Sequence, residues 1–299
     1  MNRGAALTGA LLVTLATPST WALALATFLL RGGIVIVALP ILVLPTPVGL
    51  GNLLAPTLTA IVFGGLSVSL LVLIAAIGLS LVAWVVASGL LAAILEAEAA
   101  RIVAAHEDVV VRRRRVEAGR VFLARILAHL PLVLALIWGT TRLVAVTYRE
   151  LTNPGDVATP LVWRVLLESP EAVLAIVLTW TVGQAVGAIA ARRVILAGGG
   201  VVRALRDASM ALVQRPLTVL ADFWLPTLAL GLALAPSALA AGSAGNLVRE
   251  AMNSPNEPIR LALAVVLFVL LWVVGLVVTG VICAWRAAVW TVAFGEAQR

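Results

Sequence analysis

Apolar residues run through this chain in long, unalternating blocks, and the polar positions between them are few and clustered. The blocks fall at Trp21–Leu44, Val68–Leu95, Phe122–Val146, Glu171–Ala191, Leu217–Ala240 and Leu261–Cys283, separated by segments rich in Pro, Gly, Asn or Arg. A helix of about 20 apolar residues suffices to cross the hydrocarbon core of a bilayer. Residues 32 to 95 contain no Asp, Glu, Lys or Arg, which no soluble surface of that length tolerates. A membrane β-barrel would instead show ~10-residue segments of alternating polarity. The pattern therefore predicts an all-α fold, a polytopic transmembrane helical bundle of six spans. Residues 47–67 are apolar but broken by Pro47, Gly49, Gly51, Pro56, Gly64 and Gly65, so a re-entrant or interfacial helix is expected there in place of a seventh span.

Three prolines add a higher order. Pro18, Pro131 and Pro216 each stand just before or inside the start of an odd-numbered span, where the chain reads PSTWALALATFL, PLVLALIWGTTR and PLTVLADFWLPT. The helix-compatible segments before them are GAALTGALLVTLAT, VEAGRVFLARILAHL and GVVRALRDASMALVQR. The latter two are amphipathic and carry Arg, as suits a helix lying in the cytoplasmic interface. One integral membrane domain over residues 1–299 is expected. Within it stand three pseudo-repeated hairpins, at about 4–97, 112–197 and 200–292, each opened by an interfacial helix. The competing account is that Leu- and Ala-rich helices align with anything.

Composition agrees: 62% of residues are hydrophobic and 12% charged, against about 25% charged in a soluble domain. The formal charge of +7 comes entirely from Arg among the basic residues, and in a membrane protein basic residues first report orientation. Placing the connections alternately inside and outside puts fifteen Arg inside and four outside, with Arg31 and Arg142 left within spans. Both termini are expected in the cytoplasm of a bacterial-type cytoplasmic (inner) membrane. The apolar segment before Thr20 lacks a convincing cleavage site and is read as retained. A lone cysteine, Cys283, offers neither an intramolecular disulfide nor a thiolate metal site.

The segment VRALRDASMALVQRPLTVLADFWLPTLALGL, a basic amphipathic helix running through Pro216 into a span, and the stretch ICAWRAAVWTVAFGE resemble uncharacterised bacterial six-span integral membrane proteins. That layout is similar to the membrane domain attached to some glycerophosphodiester phosphodiesterases. The resemblance implies a membrane-embedded module without an agreed activity. The acidic and His metal ligands of the soluble phosphodiesterase domain have no counterpart in these residues, so no catalytic residue carries over.

Candidate chemistry is sparse. The two His are far apart in setting: His106 lies in HEDVVVRRRR, a solvated charge cluster, and His129 stands two residues before Pro131. No metal-protease, nucleophile-elbow or paired-aspartate motif occurs, and no cofactor is expected. Gly198-Gly199-Gly200 lacks the following Lys-Ser/Thr of a phosphate loop and reads as a hinge between the fourth span and the next interfacial helix. Arg112, Arg113, Arg114 and Arg115 read as topogenic, with anionic lipid headgroups at the cytoplasmic face as their expected contact. Without aromatic interleaving they do not suggest nucleic acid. Charges within hydrocarbon are costly and functional by default; Arg31 and Asp222 are the best candidates. Their depths along the first and fifth spans admit an ion pair between them; the alternatives are separate snorkelling and an Asp222 kept protonated or wetted near the interface. Gln184, beside Trp180, Thr181 and Gly183, is an intramembrane polar candidate together with His129. Gly183 and Gly187 form a small-xxx-small spacing that would permit close helix approach. Glu96, Glu98 and Arg101 read as an interfacial salt-bridge cluster.

Three functions remain open on these residues. The first is a non-enzymatic membrane-organising, assembly or accessory module, with the bilayer, a membrane-protein partner or a second copy of the chain as its contacts. The second is a transporter or permease-like protein using the buried polar residues, and the third an intramembrane lipid-acting enzyme.

Overall fold

The computed structural model describes residues 3–38, 67–111, 118–153, 159–252 and 258–296, and every regular element among them is helical. In chain order these are α1 (Arg3–Ala16), α2 (Ser19–Phe28), a π-helical turn (Leu29–Gly33), α3 (Ile34–Ala38), α4 (Val68–His106), α5 (Ala118–Ala128) and α6 (Leu130–Thr152). Then follow α7 (Leu161–Glu168), α8 (Pro170–Arg192), a second π-helical turn (Arg193–Ala197), α9 (Val201–Gln214), α10 (Pro216–Met252) and α11 (Pro258–Glu296). Six stretches are long and apolar enough to cross a membrane: Ser19–Ala38, Val68–His106, Leu130–Thr152, Pro170–Ala197, Pro216–Met252 and Pro258–Glu296. The chain is an all-α, six-span membrane bundle. Residues 47–66, where a re-entrant helix was expected, and Arg112–Arg115 lie outside the described residues.

Side-chain size is distributed as lipid requires. The buried apolar residues are mostly alanine, among them Ala92, Ala93, Ala100, Ala104, Ala124, Ala185 and Ala190, while Leu73, Leu79, Leu134, Ile137, Leu263 and Val266 lie exposed. Between helices in lipid no hydrophobic drive exists, so small residues that let backbones approach take the interior and large ones face the tails.

The helices sort into two compact units. Unit 1 comprises Met1–Thr20, Ala97–Leu228 and Ala284–Arg299, and unit 2 comprises Trp21–Glu96 and Ala229–Cys283. In unit 1, Ala10 and Val13 of α1 pack with Val103 of α4 and Ala288, Val289 and Val292 of α11, and Trp285 Nε1 donates to the Leu7 carbonyl at 3.1 Å. A second core joins Ala185 and Ala188 of α8 to Val219 and Phe223 of α10 and Trp290 of α11. In unit 2, α11 brings Gly275 against Ser237 of α10 and Gly280 against the Trp21 carbonyl; a Cβ at either glycine would stand 3.2 Å from its neighbour.

Helix ends depart from the expected span ends. The third span begins at Leu130, and Phe122 belongs to the separate α5, because His129 (φ −97°, ψ 1°) leaves helical geometry ahead of Pro131. At 39 residues, α4 and α11 reach roughly 58 Å at 1.5 Å per residue, about twice the hydrocarbon thickness. Exposed residues dominate α4 up to Ala87, and burial sets in from Ser88. The helix therefore outlasts its lipid-facing run because its Ala-rich end has protein to pack against. In the turn after the fourth span, Gly198 takes φ +70° to close the helix on the Arg193 carbonyl, and Gly200 is the extended N-cap of α9. Glycine, having no Cβ, holds that left-handed cap without strain.

Candidate functional site

An ionic contact of unit 2 lies where the first span breaks. Arg31 (φ −88°, ψ 21°) and Gly32 (φ 99°, ψ −5°) leave helical geometry within the π turn, which interrupts the backbone ladder. The Arg31 guanidinium donates from Nη2 to Glu96 Oε2 at 2.5 Å, with the Glu96 side chain 5% exposed and that of Arg31 34%. Glu96 is thus a partner of Arg31 within unit 2 that the residue pattern did not point to. The break at Gly32 and the lean of a helical arginine toward its helix N-terminus accompany this contact with the carboxylate of α4. Asp222 is half-buried on α10 in unit 1. Nearby in unit 2, a small cavity of about 30 Å³ is lined by Val37, Ser237, Leu271, Trp272, Gly275 and Thr279, among others. Its polar groups are bonded within the protein: Ser237 donates to the Ala233 carbonyl and Thr279 to that of Gly275, both at 2.7 Å, and Trp272 Nε1 donates to the Val37 carbonyl at 3.2 Å.

Unit 1 holds two arginines that the sequence reading counted only for topology. Arg192, 2% exposed, donates from Nε to Thr291 Oγ1 at 3.0 Å and from Nη2 to the Ala287 carbonyl at 3.1 Å. A guanidinium keeps its charge in every environment, so these two acceptors on α11 compensate a permanent cation and tie α8 to it. Arg286 donates to Gln184 Oε1 at 3.3 Å and lies 5.3 Å from the ring centroid of Phe223, a cation–π distance. Phe223, Trp180 and Trp224 meet edge to face, with centroids 5.4 to 6.1 Å apart. Gln184 is thus engaged by a second span. A signal for Arg192 was present: it continues the helical stripe of Ala185 and Ala188, the face that packs on α10 and α11.

His129 donates from Nδ1 to the Arg125 carbonyl at 2.7 Å, since a carbonyl can only accept. Its ring lies against Gly183, where a Cβ would stand 3.1 Å from the Ala128 carbonyl and 3.2 Å from His129 Cδ2, while Gly187 faces Arg125 and Ala128. The two glycines are therefore the seat on which α5 packs against α8, as their spacing suggests. Asp222, Gln184 and His129 all belong to unit 1, and Arg31 belongs to unit 2. Among the described residues, no three His, Cys, Asp or Glu side chains come together in a group able to hold a metal.

No protein-family model, curated protein or solved structure matches this chain.

Two amphipathic helices flank the fourth span. On α9, Ala204 and Ala208 are buried, and Asp207 accepts from Arg193 Nη1 at 2.8 Å, fastening the helix to the π turn. Its opposite face exposes Val202, Met210 and Val213 together with Arg203 and Arg206. At the other end of the fourth span stands α7, which the sequence reading left within a connection. Its Arg164 pairs with Glu150 of α6 at 3.0 Å, both largely buried, and its Glu168 pairs with Arg149. Arg142 of α6 meets Glu171 of α8 at 3.0 Å.

Proposed function

We propose that this chain is a non-enzymatic membrane-organising module of a bacterial-type cytoplasmic membrane, with both termini cytoplasmic, which gathers anionic lipid headgroups at that face. The observation that carries the reading is the outer face of α9. Large apolar side chains and guanidinium groups share one exposed surface there, while small alanines of the other face dock on the bundle. An amphipathic helix in the headgroup layer has this use for both kinds: apolar chains enter the acyl boundary, and arginines meet phosphates. Each basic residue gains ~1 kcal/mol from an anionic leaflet. The excess of Arg in the connections on the same side, Arg112–Arg115 included, adds to the attraction.

The test is the composition of the lipid shell. Native nanodiscs excised with the full chain are expected to hold a larger anionic fraction than the surrounding membrane, and the double variant Arg203→Gln/Arg206→Gln to lose much of that excess. A shell identical to the bulk membrane would remove the reading. A transporter is the second reading, favoured by one observation: the first span is broken at Gly32 beside the pair of Arg31 with the buried Glu96, and broken helices at intramembrane ion sites recur in carriers. Solute flux into proteoliposomes that is lost with Glu96→Gln would favour it.

A further inference from the structure

The geometry points to α7 as a membrane anchor in the leaflet opposite α9. We infer that its exposed face takes the acyl–headgroup boundary of that leaflet as its partner, without preference for lipid charge. The inference needs the six-span fold and not the organising role.

Three observations carry it. First, the exposed face of α7 is wholly apolar: Val162, Trp163, Leu166 and Leu167 are 68, 61, 37 and 73% exposed, while Val165 is buried. At 100° per residue these four fall on one side, with Arg164 and Val165 on the other. Second, the charges of the polar side are paired, Arg164 with the largely buried Glu150 and Glu168 with the half-exposed Arg149, so α7 brings no unneutralised cation to attract an anionic headgroup. Tryptophan on such a face is the side chain that interfaces favour. Third, the fourth span sets the spacing. Its 28 residues from Pro170 to Ala197 measure about 42 Å at 1.5 Å per residue, the thickness of a bilayer including both headgroup regions, ~40–45 Å. With one residue between α7 and the span and three between the span and α9, the two amphipathic helices stand at opposite headgroup layers. Exposed Val144, Tyr148 and Leu151 of α6 continue the lipid-facing surface up to α7.

The test places an environment-sensitive fluorophore on single cysteines, in full-length protein carrying Cys283→Ala and reconstituted in vesicles. Trp163→Cys and Leu167→Cys report α7, and Val213→Cys reports α9. The α7 labels are expected to be quenched by lipids bearing a nitroxide near the headgroup end of the acyl chain, equally in zwitterionic and mixed anionic vesicles. In vesicles enriched in one orientation, a membrane-impermeant reductant should bleach complementary and unequal fractions of the α7 and α9 labels. Equal bleached fractions would place both helices on one side and overturn the proposal. Quenching by aqueous iodide without lipid quenching would overturn it too, as would shielding from both, which marks a protein contact. Should Trp163→Cys fail to give monodisperse protein, the more exposed Leu167→Cys carries the test alone. Lipid contact at 163 and 167 with no anionic preference at 213 would count against the organising role and leave this inference standing.

Discussion

Gly183 and Gly187 differ in what a methyl group would meet. At Gly183 the neighbours are the Ala128 carbonyl and the His129 ring, both fixed by the α5–α6 junction, whereas at Gly187 they include the flexible Arg125 side chain at 3.3 Å. Alanine gains about 1 kcal/mol over glycine in a helix interior, and forced overpacking costs about 1–3 kcal/mol. Gly187→Ala is therefore expected to be neutral or mildly stabilising, and Gly183→Ala to be less stable than it by about 1 kcal/mol or more in thermal denaturation. Equal effects would mean that α5 yields at both positions. The Arg31–Glu96 contact makes a separate expectation: Arg31→Gln, Glu96→Gln and the double variant should show a coupling of ~0.5–3 kcal/mol, as residues sharing an ion pair do. Strict additivity would say that the pair contributes nothing to folding. Sequence made the charge at Arg31 legible as a candidate, because hydrocarbon is a poor solvent for it. Its partner was not, because a single glycine taking φ +99° redirects the chain in a way that hydropathy does not record.

Among the elements, the six spans were readable because each apolar block exceeds the length lipid demands. The ends of α4 and α11 were not, since hydropathy reports where lipid stops and not where a helix stops; Ala97, Ala100, Val103 and Ala104 remain helical because unit 1 buries them. An eight-residue helix such as α7, LVWRVLLE, is too short for a periodic signal to rise above its surroundings. The proline junctions were legible, and Pro216 allows a direct test. Arg215 sits at φ −137°, ψ 57° between α9 and α10, since the residue before proline is kept out of the helical region. Pro216→Ala lifts that restriction and lets the two helices join, which would draw α9 off its seat. A cysteine at Ala208, a fully buried position, reports this in the Cys283→Ala background: its labelling by a thiol reagent is expected to rise in Pro216→Ala. An unchanged rate would mean that Arg193–Asp207 and the alanine face hold α9 without help from the proline.

For the molecule as a whole, the fourth span links bilayer thickness to stability. With α7 at one end and α9 at the other, a membrane of the wrong thickness cannot satisfy both amphipathic faces unless the span tilts or one helix leaves its layer. Tilting accommodates a bilayer that is too thin, but it also rotates both flanking helices out of the membrane plane. Mismatch costs fractions of a kcal/mol per Å, so a bilayer about 6 Å thinner than the optimum should lower stability by on the order of 1–3 kcal/mol. Melting temperatures across nanodiscs of increasing acyl length are accordingly expected to pass through a maximum near a hydrocarbon thickness of ~30 Å, the core that a ~42 Å headgroup spacing encloses. Two variants separate the causes. Arg203→Gln/Arg206→Gln should lower stability in anionic nanodiscs by about 2 kcal/mol, near ~1 kcal/mol per lost cation, and leave the thickness optimum in place. Leu167→Gln, which places a polar group on the exposed face of α7, should flatten the maximum while leaving the dependence on lipid charge intact. If thickness and charge dependences instead changed together in both variants, the two ends of the span would not be acting as independent anchors, and lipid charge and bilayer thickness would be sensed at one site.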